Sequence, residues 1–488
     1  MWETKSTNAW PAQMVSMLVA FGMLLALSAP AFAGRIEAGS FTAHDTFVNG
    51  NTVRVNFQQT FDTIPVVVAL ADQNGNNSAS IRITNISTTG FDELILEPDN
   101  WDGRHIVQNV HYIAVEPGRH VLPDGRIIEA GRLNTAATQF GSGFTGGTAS
   151  WTTVSFSSPL PVTPSVISQI QTANSETRTV ATQSSRPHIT AITQGLGLSG
   201  FQVALERSQA NSGPFPSSET VGWIAFPGNL NGSFPDIANS NVTWSTVNTA
   251  ANIRGWDNGC FTNSFGQNSG SRIVVAKKTS RNNADGGWLR RCSLSSTTIG
   301  LRVDEDRDQD NERSVAAGDS ETASIIAFSR NFHANLEPDI SVSKTSVSFA
   351  DTLGSGFALP GATVEYLITV QNNGNAPPNY DSIVITELLP PELDFIVADF
   401  GAPGSGPFAF QDGSPASGLS CPFISLGSMT DCYSFSIDGA NFDYVPSDSG
   451  DGTDEMVTHI RITPTSFMAP NTGSGATSFA LRFKGRID

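Results

Sequence analysis

Residues 53–70 read VRVNFQQTFDTIPVVVAL. Val53, Val55 and Phe57 alternate with Arg54 and Asn56, so a strand here has one apolar and one wet face. Pro65 opens the apolar run Val66–Leu70 at a strand's first position, where a missing N–H is tolerated. Downstream, IRITNISTTGF (81–91) alternates again and turns at Thr88-Thr89-Gly90-Phe91. VHYIAVEPG (110–118) closes the pattern with Val110, Tyr112 and Ala114.

The pattern recurs. Ile36-Glu37-Ala38-Gly39 precedes its first copy and Ile128-Glu129-Ala130-Gly131 its second. The Phe57-to-Pro65 interval returns as Phe156 to Pro164. Leu198–Phe201 stands for Thr88–Phe91, and Val221–Ala225, with Trp223, for Val110–Ala114. A more divergent third copy has Phe265, then Ile273–Ala276, then Thr298-Ile299-Gly300-Leu301 at the place of the turn, then Ala323–Phe328. Order and spacing agree together, which marks an internal repeat. The expected fold is all-β: tandem antiparallel β-sandwiches over 34–127, 128–235 and 236–336, with a further domain over 337–488.

These residues resemble the H-type lectin domain: a strand with Phe, then Pro-Val-Val, Arg-Ile before a Thr-Gly-Phe turn, a Trp, and a closing aromatic-Ile-Ala. The resemblance spans 34–117 most closely, then 128–228 and 240–334. It implies a six-stranded antiparallel sandwich, trimeric assembly and binding of N-acetylgalactosamine-type sugars. Three copies in one chain lead us to expect an intramolecular pseudo-threefold trimer. The third copy also resembles a block of exported marine-bacterial proteins, in GGWLRRC (286–292), VDEDRDQDNER (303–313) and IIAFS (325–329).

From Ile340 the pattern changes. PGATVEYLITV (360–370), the Asn372-Asn373-Gly374-Asn375 turn, Pro390-Pro391 and HIRITP (459–464) are similar to the bacterial "conserved repeat" surface domain, domain of unknown function eleven. That resemblance implies an immunoglobulin-like sandwich without catalytic residues.

The net charge is −18, and residues 339–488 carry 17 acidic against 5 basic side chains. Such a balance disfavours nucleic acid and anionic membrane as partners. Met14–Ala33 reads as a signal peptide ending in the small-x-small pattern Ala31-Phe32-Ala33, so residues 1–33 are expected to be removed on export to the cell surface or medium. A transmembrane anchor is the other reading of this run. No later stretch is apolar for the roughly 20 residues a membrane span needs. Of the three ways to pair four cysteines, the local one, Cys260–Cys292 and Cys421–Cys432, is simplest.

Arg82, Trp101, Asp102, His105 and His111 are the sugar-site candidates. An aromatic face meets sugar C–H groups, and charged groups bond hydroxyls in pairs. The resemblance places Arg82 and Trp101 at the family's Arg before the turn and Trp after it. The alternative leaves Arg82 facing solvent and Trp101 packing an edge. Neither residue is repeated in the later copies.

Asp304, Asp306, Asp308, Asp310 and Glu312 alternate and offer oxygens for Ca²⁺, although the EF-hand's Gly and Glu positions hold Gln309 and Val315. The competing reading is a solvated acidic loop or a hairpin turn paired with Arg290, Arg291 and Arg302. Gly195–Gly200 satisfies G-x-G-x-x-G, but a strand-like FQVAL follows where a dinucleotide site needs a helix. Neither HExxH nor GxSxG occurs, and no enzyme is expected. The reading is thus a non-catalytic exported module binding glycans or other surface proteins. The alternative is a structural spacer or surface-layer component with no small ligand.

Overall fold

The computed structural model describes residues 34–488 except 44–52, 99–104, 142–146, 176–187, 210–216, 239, 267–271, 308–310, 379 and 472–474. The expected signal peptide, 1–33, lies outside the described residues. The fold is all-β, in sheets that are antiparallel but for the two-residue strand Thr138–Gln139. The chain divides into two compact units, one of Phe32–Glu337 and one holding Pro338–Asp488.

In the first unit, six strands make the first set: β1 (Gly34–Ala43), β2 (Val53–Asn56), β3 (Val66–Ala71), β4 (Ser80–Ser87), β5 (Gly90–Leu96) and β6 (Gln108–Val115). The second set is β7 (Ile127–Thr135), β8 (Thr152–Ser155), β9 (Pro164–Ile170), β10 (Thr190–Gly197), β11 (Gly200–Glu206) and β12 (Glu219–Pro227). The third is β13 (Asn241–Asn248), β14 (Phe261–Ser264), β15 (Ile273–Lys278), β16 (Trp288–Leu294), β17 (Thr298–Asp304) and β18 (Ala323–Phe328). The sheet order is the same in each: β1-β6-β3 with β2-β5-β4, β7-β12-β9 with β8-β11-β10, and β13-β18-β15 with β14-β17-β16. In the first set Val67, Ala69 and Tyr112 of one sheet pack on Val55, Ile83 and Phe91 of the other.

The Glu-Ala-Gly signature has a physical cause. A Cβ at Gly39 would stand 2.7 Å from the Tyr112 ring, and one at Gly131 2.6 Å from the Trp223 ring, so each aromatic lies where only glycine leaves room. The Glu37 carboxylate accepts the amides of Gln58 and Gln59 (2.8 and 3.3 Å), and that of Glu129 accepts the Ser157 amide (2.8 Å). The amides of Phe57, Phe156 and Phe265 donate to the carbonyls of Thr89, Ser199 and Thr297, each at 3.0 Å. These bonds move the third set's turn two residues upstream of its expected place. Thr298–Leu301 lies inside β17, and Thr298 takes the place of Gly90. The β16–β17 hairpin has its register shift at Arg291/Ser293, away from the turn, whereas the first hairpin shifts between Thr84 and Ser87.

The sets contact one another cyclically. β3 packs on β12, β9 on β18 and β15 on β6, while β3, β9 and β15 also meet pairwise. The connecting strands Gly118–Val121 and Asn231–Pro235 pair with the first strands of the second and third sets, β7 and β13. Phe332–Leu336 pairs with β1 and closes the ring. Because β3, β9 and β15 are edge strands, their outer amides need acceptors. The Val274 amide donates to His111 Nδ1 (3.1 Å) and the Val166 amide to Ser324 Oγ (3.0 Å). The Val67 amide donates to Gln171 Oε1 (3.3 Å). By sheet register His111, Gly222 and Ser324 are equivalent positions. Gly222 has no side chain, and a Cβ there would stand 2.7 Å from Gln171, which fills the space.

The second unit pairs two sheets over one core. The larger has the order β19-β20-β27-β22-β25, from β19 (Ile340–Ala350), β20 (Thr363–Asn372), β22 (Leu393–Ile396), β25 (Thr453–Asp454) and β27 (Thr477–Ile487), with β23 (Phe408–Asp412) also on β27. The smaller is β21 (Ile385–Leu388), β26 (His459–Ile462) and β24 (Tyr433–Ser436), in that order. Ile368, Phe395, Phe435, Ile460 and Leu481 belong to their shared core. Both expected disulfides form, Cys260–Cys292 and Cys421–Cys432. Among the described residues no helix is long and apolar enough to cross a membrane.

Candidate functional site

A cleft of about 1130 Å³ opens where the first and third sets meet. The first set contributes Asp72–Asn76, the loop after β3, together with Asn109 and His111 of β6. The third contributes Trp256, Arg291 and Arg302. The volume lies just above the roughly 300–1,000 Å³ typical of small-molecule sites.

The loop is built from behind. Asp72 accepts the Asn74 amide (3.2 Å) and the Asn109 side-chain amide (3.0 Å), a turn that fixes its carboxylate at the cleft wall. Gly75 has φ +87°, and a Cβ there would meet the His105 ring at 2.9 Å. His105 sits under the loop, 3.3 Å from the Asn77 carbonyl, and burial lowers its pKa. Arg290 reaches over from β16 and donates to the carbonyls of Asp72 (3.2 Å), Asn74 (3.0 Å) and Asn77 (2.8 Å). Its own charge is met by Asp304 at 2.9 Å.

On the opposite wall Trp256 is ringed by guanidinium groups: Arg290, Arg302 and Arg313 lie 5.0, 4.5 and 4.3 Å from its ring centre. Cations over an indole face are attracted by its quadrupole. The Trp256 segment is pinned at both ends. A Cβ at Gly255 would stand 2.2 Å from the Arg313 carbonyl oxygen, and Cys260 is tied to Cys292 on β16. Burial, then the charge of Arg291, holds the His111 pKa down at about 3, so this imidazole is neutral in the wall. Together the walls present a carboxylate, amide groups, guanidinium groups and an indole. That is a set of paired donors and acceptors beside an aromatic face, suited to a polyhydroxylated ligand.

The sequence candidates fall in different places. His111 lines the cleft and caps the Val274 amide, and His105 supports the loop. Arg82 is 2% exposed and donates to the Ile189 carbonyl at 2.7 Å, at the junction of the first and second sets. Trp101 and Asp102 lie outside the described residues. One sequence expectation needs correcting: Arg82 has a counterpart after all, since Arg290 occupies its place in the third set by register. Both arginines reach into the neighbouring set.

Of the acidic run, Asp308 and Asp310 lie outside the described residues. Asp304 is bonded by Arg290 (2.9 Å) and Arg313 (3.1 Å), and Asp306 is buried. Glu312 accepts from Ser314. Among the described residues no group of three His, Cys, Asp or Glu side chains is placed to hold a metal ion. Sequence reasoning missed Trp256, Asp72 and Asn109. The one local hint was Trp256 standing between Gly255 and Cys260.

A search of curated proteins finds no match to the chain. Residues 52–115, which supply the part of the first-set wall from Asp72 to His111, match the model of the H-type lectin domain.

Proposed function

We propose that the chain is a non-catalytic, exported carbohydrate-binding protein whose glycan site is the cleft between the first and third sets. The observation that carries this reading is the overlap of two facts: the lectin-domain match covers 52–115, and the open residues of that stretch face Trp256 and Arg302 across the cleft. The three sets are taken as diverged copies of one lectin-like sandwich, linked in tandem into a single-chain pseudo-trimer. Their common strand order, the cyclic packing and the closing strand Phe332–Leu336 support this. Divergence has left the junctions unequal. Where the second set meets the third, Arg281 bonds Glu206 at 2.9 Å and the Phe140 carbonyl, and that junction is occupied by protein. The acidic unit 338–488 serves as a solvated immunoglobulin-like carrier. Two disulfides fit an oxidising compartment.

A glycan array with the secreted chain tests the proposal. Binding is expected, and Trp256→Ala and Asp72→Asn should each weaken it at least about tenfold, the scale of one lost anchor. No binding to any glycan would overturn the lectin reading and favour a structural spacer.

A further inference from the structure

We propose that the ligand of the cleft is a sugar bearing an anionic group, a carboxylate or a sulfate ester, whose charge is received by Arg291 and Arg302 beside Trp256; this rests on the lectin reading above. The arginines around Trp256 fall into two kinds. Arg290 and Arg313, which do not line the cleft, share the Asp304 carboxylate at 2.9 and 3.1 Å. Arg291 and Arg302, which do line it, form no ion pair among the described residues. Arg302 donates from Nη1 to the Trp256 carbonyl at 3.3 Å, and its Nε is buried without a hydrogen-bond partner, so most of its donors are unspent. The Arg291 guanidinium meets uncharged acceptors: His111, 2.8 Å from Nη1, and the Asn109 carbonyl, 3.4 Å from Nη2.

The carboxylate of the lining, Asp72, is turned to its own wall, where its two oxygens accept the Asn74 amide and the Asn109 side chain. The lining thus holds two guanidinium groups against one engaged carboxylate, in a chain whose net charge is −18. At physiological salt, charges beyond about 8 Å are largely screened, so the cleft's own arginines and not the chain's total charge decide which ligand is received. The common sandwich does not call for these arginines. By register Arg291 stands at the place of Ile83 and Thr193, and Arg302 at that of Leu94 and Ala204. Both cations are therefore peculiar to the wall that opens on the cleft. A guanidinium fork matches the paired oxygens of a carboxylate or a sulfate, and such charge-assisted bonds are about twice as strong as neutral ones. A neutral sugar offers hydroxyls alone and meets neither charge.

The test places matched pairs on the glycan array: each acidic glycan beside its neutral form, including oligogalacturonide with its methyl ester and a sulfated galactan with its desulfated form. Calorimetry of the full chain then measures the strongest pair. The acidic form should bind at least about tenfold more tightly than its neutral partner. The two kinds of pair show whether carboxylate or sulfate is preferred. Affinity for the acidic form should fall as sodium chloride rises from about 0.05 to about 0.5 M, and that for the neutral form should hold. Arg302→Leu, which installs the residue of the equivalent position Leu94, and Arg291→Gln should each shrink the ratio between the two forms, whereas Trp256→Ala should weaken both alike. A variant that merely folds poorly lowers both affinities and leaves the ratio. Neutral forms bound as tightly as acidic ones, or a ratio unchanged in both arginine variants, would overturn this proposal and leave the lectin reading standing. No binding to any glycan would overturn both.

Discussion

His111 Nδ1 accepts the amide of Val274 at 3.1 Å, joining a residue chosen from the sequence as a sugar ligand to the edge strand of another set. Ser324 does the same for Val166 from the equivalent position. The shared task is to satisfy an edge amide, and an unmet one costs about 1–3 kcal/mol.

The titration of His111 gives this junction a pH dependence. Its folded pKa is about 3, below the ordinary imidazole value, so the unfolded chain binds the extra proton between the two. Stability from this group is complete above pH 6.5 and is lost as pH falls towards 3. Melting temperature should therefore drop between pH 7 and pH 4. His111→Ser, which copies Ser324, should flatten that drop, and His111→Ala should destabilise at every pH by leaving the amide unmet. Identical pH profiles for the wild type and the serine variant would show that His111 does not titrate against folding.

Glu93 gives the opposite sign. It pairs with Val53 and Ile83 across its sheet, where the second set has Val203, and both its oxygens are buried without a partner. Burial pushes its pKa up to about 8. The folded state thus holds a proton that the unfolded chain releases above 4.5, and stability is lost as pH rises through 8. Glu93→Val should raise stability at pH 9 by on the order of 4 kcal/mol and change it much less at pH 4. Calorimetry at the two pH values measures the difference; equal gains would point to packing rather than charge.

The strand pattern was legible in the sequence because each apolar position is fixed by a sheet face, as with Val55, Phe57 and Tyr112. The Ile-Glu-Ala-Gly tetrapeptide was legible because a carboxylate and a missing Cβ are both demanded by neighbours. The site was not. A polar residue on the outer sheet face reads as solvated or ligand-binding, but in a ring of sandwiches that face is buried against the next set. Arg82 and His111 are polar for that reason. The cleft itself combines Asp72 with Trp256, residues that only the cyclic packing brings together. Arg290 was not matched to Arg82 because the third hairpin moves its register shift to Cys292.

Arg290 is a positioning residue for the cleft. Arg290→Ala removes three bonds to the carbonyls of loop 72–77 and takes one of two arginine partners from Asp304, leaving its ion pair with Arg313. A loss of about 3–5 kcal/mol is expected from breaking a buried pair. Arg290→Lys should recover part of the stability but not the loop, since an ammonium cannot span three carbonyls in one plane. Hydrogen exchange at Asn74–Asn77 should rise in both variants. Protection that stays at wild-type level in Arg290→Lys would mean that the loop is held by Asp72 and Asn109 without the clamp.

The two disulfides should differ in what they hold. Cys260–Cys292 closes 32 residues and Cys421–Cys432 only 11, so chain entropy gives the former about 3–4 kcal/mol and the latter about 3 kcal/mol. Their effects on stability are close, but only the first pins the segment carrying Trp256 to β16. Cys260→Ser with Cys292→Ser should lower stability and weaken glycan binding together, with a red shift of tryptophan emission as the indole loosens. Cys421→Ser with Cys432→Ser should lower the stability of the second unit and leave binding unchanged. Because the stability losses are matched, a binding loss confined to the first pair isolates the placement of Trp256 as the cause. Equal binding in both double variants would remove Trp256 from the site.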